Sequence, residues 1–212
     1  MQNTKRNYIV SIILNLIIVL LELIGLVYCS LNQGLSMFTF YTVDSNYFLL
    51  VTSTLLLIYL VMNHIKDKRI PKLVIFLKYT STINVILTFI VVIFVLIPIG
   101  GVASIKMMLL DGVMSIHHVI CPLLATISFI FFDPKEKINN KDLFLSLVPT
   151  IVYATIIIIL NIAKVITGPY PFLHVYEQPI YMSILWVIII LGATLLISFL
   201  LKVVNNHKLN NI

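Results

Sequence analysis

The sequence predicts an all-α membrane protein: a bundle of six transmembrane helices forming a single domain over residues 1–212. Three observations predict it. The chain is 60% hydrophobic and only 10% charged, whereas soluble domains carry about 25% charged residues. Six apolar stretches each reach the roughly 20 residues that crossing the hydrocarbon requires. The hydrophilic gaps between them are too short to hold a soluble domain.

The stretches cover about 8–30, 37–63, 73–98, 107–132, 143–166 and 179–204. The first follows Lys5 and Arg6 and is longer than the ~7–15-residue core of a cleavable signal, so it is expected to remain as a span. Each later boundary carries a break. "HIKDKRIPK" follows the second stretch, "IPIGG" the third, "DPKEKINNKD" the fourth and "TGPYP" the fifth. Cys29 and Cys121 lie inside apolar runs with no CxxC pattern, which gives neither a disulfide framework nor a metal site.

The net charge of +6 would suit a nucleic-acid partner, but its placement argues against one. Lys5, Arg6, Lys66, Lys68, Arg69, Lys72, Lys135, Lys137, Lys141, Lys202 and Lys208 all fall on one side of a six-span chain. By the positive-inside rule both termini are expected in the cytoplasm. The Ile, Asn and Lys bias resembles that of AT-rich bacterial genomes, so a multi-pass protein of the bacterial plasma membrane is expected, in contact with membrane lipids.

Polar residues at membrane depth are expensive and face the bundle interior or a wet cavity. Glu22 lies in the first span; Thr42, Asp44, Ser45 and Asn46 in the second; Asn84 in the third; Asp111, His117 and His118 in the fourth; Asn161 in the fifth. Asn84 and Asn161 read as interhelical hydrogen-bonding residues, worth about 1 kcal/mol each. Asp111 and His118, seven apart, would share a helical face, while His117 points about 100° away from His118. Pro122 removes the amide that would bond the His118 carbonyl, so a kink is expected there. Thr42, Ser45, Asn46 and Leu49 share a second face, and Asp44 does not.

A hydroxyl beside a histidine is the minimum for nucleophilic acyl chemistry. At 1.5 Å per residue, Thr42 should lie roughly 6–9 Å below its helix start and the histidines about 15–17 Å below theirs. On depth alone, Ser45 or Asn46 would meet the histidines better than Thr42.

"FYTVDSN" (40–46), "HHVICPLL" (117–124) and "GPYPFLHVY" (168–176) resemble, in order, motifs of the androgen-induced membrane protein family. Its bacterial branch has Phe-Thr-x-x-Ser-Asn, matched by Tyr41, Thr42, Ser45 and Asn46; His-x-x-x-Pro, matched by His118 and Pro122; and Tyr-Pro, matched by Tyr170 and Pro171. "VPTIVY" (148–153) is similar to the start of that branch's fifth span, with Val148 in place of a tyrosine. The resemblance implies a membrane-embedded hydrolase of fatty acid esters of hydroxy fatty acids, without a cofactor. Thr42 would be the nucleophile and His118 the base, with His117 as the alternative that the vertebrate spacing selects. Ser45, Asn46, Asp111, Asp44 and Glu22 would support or line the site. The outer loop "TGPYPFLHVYEQP" reads first as a rigid interfacial cap of prolines and aromatics, and in the alternative reading Tyr170 and His174 stand at the mouth of the site. Two other functions fit the same residues: a lipid acyltransferase using the Thr–His pair, and a small-solute or proton-coupled transporter using the buried acids and histidines.

Overall fold

The computed structural model describes residues 2–210, with side chains from Arg6 onward; Lys5, one of the basic flanks, lies outside the described side chains. Six helices are long and apolar enough to cross a membrane: α1 Arg6–Thr39, α2 Tyr41–Lys66, α3 Lys72–Gly100, α4 Gly112–Phe132, α5 Asn140–Ile162 and α6 Ile180–Asn210. The described residues contain no strand.

The breaks follow the sequence. Gln33 ends the regular part of α1, and Gly34–Thr39 continues as a 3₁₀ turn. Asp67 closes α2 in the left-handed conformation, its N–H donating to the Asn63 carbonyl. Pro71 precedes α3, whose lost first amide costs nothing at that position. Gly101, at φ 69°, ends α3 and turns the chain into a short helical segment over residues 102–110. Asn139 and Asp142 form a reciprocal capping box at the head of α5.

α3 is the centre of the bundle, packing on α2, α4 and α6. Its buried surface is unusually polar. Lys78 Nζ donates to Ser53 Oγ at 2.7 Å, Thr52 and Ser81 hydroxyls meet at 2.6 Å, and Thr88 meets Ser45 at 3.0 Å. On the α6 side Tyr79 OH lies 2.7 Å from both the Ser198 carbonyl and its hydroxyl. Without water, such groups must find partners inside the bundle. The outward faces carry the exposed apolar side chains, among them Ile24, Val27, Phe131, Ile188 and Leu196. Those faces are suited to lipid.

The first span runs on to Thr39 and the fifth ends at Ile162, four residues early, and two further boundary changes bear on the site. α4 begins at Gly112, five residues later than the hydropathy suggests, because Asp111 is extended (φ −97°, ψ 110°) and Gly112 has φ 42°. α2 begins at Tyr41 rather than at residue 37, since the 3₁₀ turn occupies Gly34–Thr39. At the opposite end of the bundle, Glu136 pairs with Arg69 at 3.3 Å and with Lys72 at 3.5 Å. Asn205 Nδ2 donates to the Glu136 carbonyl. The basic loops and the end of α6 therefore gather on one face.

Replacing Tyr79 by Phe removes the α3–α6 bond while preserving the ring. We expect a loss of about 1 kcal/mol, read as a lower unfolding midpoint in detergent from the fluorescence of Trp186, the single tryptophan.

Candidate functional site

Pro122 shapes the site from a distance. It cannot donate to the His118 carbonyl, and the helix answers with a π turn over Ile116–Ile120, in which the Cys121 amide donates to the Ile116 carbonyl, five residues back. The expected kink is thus a widened turn, and both histidines sit in it. They are buried and diverge: His118 reaches α2, while His117 reaches Glu22 on α1, with His117 Nε2 3.4 Å from Glu22 Oε2.

Thr42 is the second residue of α2. Its Oγ1 lies 3.5 Å from His118 Nε2, a loose contact of the kind catalytic pairs show before substrate tightens them. The late start of α4 removes about 7 Å of the depth that sequence spacing assigns to His118. The pairing therefore falls to Thr42 and not to Ser45. Ser45 Oγ is engaged elsewhere, 3.1 Å from the Thr42 carbonyl and 3.0 Å from Thr88.

His118 Nδ1 lies 2.9 Å from the carbonyl of Met108, in the 102–110 segment. A carbonyl can only accept, so Nδ1 carries the proton, and in the neutral ring Nε2 presents a lone pair to Thr42. The Met108 carbonyl does for this histidine what a carboxylate does in a Ser-His-Asp triad: it fixes tautomer and orientation. Spacing in the sequence carried no signal for it.

Asn46 ties the site together. Its Nδ2 donates to the Thr42 carbonyl at 2.7 Å and to the His117 carbonyl at 3.2 Å, linking α2 to the widened turn. Tyr170, which the sequence places only at the mouth, reaches Thr42 itself: its hydroxyl is 3.4 Å from Thr42 Oγ1 and accepts from the Thr42 N–H at 3.3 Å. The Tyr170 ring stacks on Phe172 at 5.2 Å. Burial pushes its phenol up, so the hydroxyl keeps its proton.

The remaining expected residues lie elsewhere. Asp111 is exposed and does not share a face with His118, because the helix starts after it and the π turn shifts the phase. Asp44 lines a separate cavity of about 410 Å³ with Phe48 and Asn84, between α2, α3 and α5. His174 pairs with Glu177 at 2.9 Å and contacts the Gly168 carbonyl at 3.1 Å. Asn161 bonds the Ile166 and Thr167 carbonyls and accepts from the Val175 N–H, so it and His174 shape the loop that carries Tyr170. Glu22 faces His117 and belongs to another cluster.

Thr42 opens onto a cavity of about 310 Å³ between α3, α5, α6 and the Tyr170 loop. Leu87, Val91, Tyr153, Phe172, Trp186 and Leu191 are among its walls, which are almost wholly apolar. Tyr41, bonded to Thr150 at 2.8 Å and edge-on to Tyr153 at 5.0 Å, separates it from the Asp44 cavity. The Thr42 hydroxyl, the lone-pair nitrogen of His118 and the Tyr170 hydroxyl thus converge at the edge of an oily chamber. No protein-family model, curated protein or solved structure matches the chain.

If burial holds the Tyr170 phenol protonated, Tyr170→Phe should leave the tyrosinate absorbance of the folded protein unchanged at pH values where exposed tyrosines begin to ionise. A fall in that absorbance at such pH values would show that Tyr170 ionises like a surface residue.

Proposed function

We propose that the protein is an intramembrane hydrolase of lipid-like esters with Thr42 as nucleophile and His118 as general base. The observation that carries this reading is the ordered chain Met108 carbonyl, His118, Thr42. Its polarity is the one acyl transfer needs. The motif resemblance to the androgen-induced membrane protein family points the same way and supplies the substrate class, fatty acid esters. The apolar chamber beside Thr42 suits an acyl chain better than a polar solute.

In this mechanism the Thr42 hydroxyl passes its proton to His118 Nε2 as its oxygen bonds the ester carbonyl carbon. The carbonyl oxygen takes up the charge and is met by the Tyr170 O–H, whose oxygen accepts from the Thr42 N–H. The bond to the leaving alkoxide breaks, and His118 returns the proton to it. Water, deprotonated by the same nitrogen, then releases the acid and restores Thr42. A lipid hydroxyl in place of water turns the same steps into acyl transfer. The basic face of the bundle would be cytoplasmic, in keeping with a bacterial plasma membrane, so the site opens toward the other leaflet.

Labelling by a fluorophosphonate probe in detergent tests the reading. Thr42→Ala and His118→Ala should each lower labelling and ester turnover by at least about 100-fold, while Asp111→Ala, at an exposed position, should leave both unchanged. Equal labelling of wild type and Thr42→Ala would rule the mechanism out.

A further inference from the structure

A second polar centre lies away from Thr42, on the inward stripe of α1. Ser11, Asn15, Ile18, Glu22, Gly25 and Cys29 alternate in spacings of four and three, and all are buried. Facing them are Lys78 of α3 and His117, Cys121 and Ser128 of α4, with Asp133 just beyond α4's end. Glu22 and His117 are each 2% exposed, Lys78 1% and Asp133 4%. Charges at such depth must balance one another, because an uncompensated one costs several kcal/mol.

Asp133 Oδ1 accepts from Ser11 Oγ at 2.6 Å, Asn15 Nδ2 at 2.9 Å and Ser128 Oγ at 2.7 Å. Three donors on one oxygen tie that carboxyl to α1 and to the end of α4. Lys78 Nζ donates to Ser53 Oγ and, among the described residues, is in ion-pair contact with neither acid. Glu22 likewise has no lysine or arginine in ion-pair contact among the described residues. Its Oε2 stands 3.4 Å from His117 Nε2, while Glu22 Oε1 and both His117 ring nitrogens lack any hydrogen-bond partner. Ionised Glu22 beside a neutral imidazole would be a buried carboxylate with no cation in contact with it. One proton on the carboxyl removes that charge and lets it donate to the unpartnered His117 Nε2. The backbone is built for the contact: a Cβ at Gly25 would stand 2.0 Å from His117 Nε2, so the ring fills a notch that only glycine leaves.

We propose that Glu22 and His117 form an intramembrane proton-binding site, holding one proton at neutral pH as the acid form of Glu22, which donates to His117 Nε2. The ionisable groups around it are Lys78 on α3, His118 and Cys121 on α4 and Cys29 on α1; α2 contributes the neutral amide of Asn46, on the His117 carbonyl. The site does not depend on the ester-hydrolase reading.

Infrared spectroscopy of the full chain in lipid bilayers at neutral pH tests it. The expected result is a protonated-carboxyl C=O stretch that moves in D₂O and is missing from Glu22→Gln. Glutamine copies the neutral carboxyl in shape, so Glu22→Gln should also keep the wild-type unfolding midpoint. Absence of the band in wild type, its survival in Glu22→Gln, or a strongly lowered midpoint for that variant would each overturn the proposal. The last would show that Glu22 carries a charge the cluster needs.

Discussion

A missing backbone amide at position 122 sets the arrangement of everything around it. In the interior of a membrane bundle no water can bond the carbonyl that proline leaves free, so the helix must rearrange its own ladder. The π turn over Ile116–Ile120 is that rearrangement. Its effect on the side chains is directional. Two consecutive histidines are held buried on different flanks, one against the hydroxyl of Thr42 and the other in the notch at Gly25. A regular helix would also separate neighbours by about 100°, but it would keep Asp111 in phase with His118. The widened turn breaks that phase.

The rest of the bundle divides around α3. On one side, α1, α2 and α4 enclose the ionisable residues Glu22, Lys78 and Asp133 with their hydroxyl and amide partners. On the other, α5, α6 and the Tyr170 loop wall the apolar chamber. α3 serves both, with serines, threonines and Lys78 toward one half and Leu87 and Val91 toward the other. The Thr42–His118 contact sits near the boundary, where a polar network borders a space for hydrocarbon. Such a border is what chemistry on an ester requires, since the reacting carbonyl is polar and its chains are not.

Much of this could be read from the sequence. Length and hydropathy delivered the six helices, because crossing hydrocarbon demands a run that no other structure needs. Thr42, His118 and Tyr170 were legible as polar or aromatic residues in unusual places, and Pro122 announced the distortion beside His118. The misses have specific causes. Asp111 was placed in the site by assuming an unbroken helix, which the extended residue and the following glycine interrupt. The Met108 carbonyl left no trace, since any residue type provides one. Lys78 looked like a residue near a span's end, yet it is among the most deeply buried side chains of the bundle. Only the spacing 11, 15, 18, 22, 25, 29 in α1 could have revealed the polar stripe opposite it, as a seven-residue repeat of mostly small and polar residues.

The order of residues along the chain gives the site a history. Thr42, Met108 and His118 all belong to the first four helices, whereas Tyr170 and the walls of the chamber at Phe172, Trp186 and Leu191 come from the last third. Synthesis delivers the N-terminal part first. A nascent chain with four helices in the membrane therefore already carries its hydroxyl–imidazole pair, but not the tyrosine beside it nor the space for a hydrocarbon chain. The loop shaped by Asn161 and His174 completes that site late in assembly. Maturation of the site is thereby tied to the arrival of the sixth helix, and truncated or half-inserted chains are left without a finished pocket.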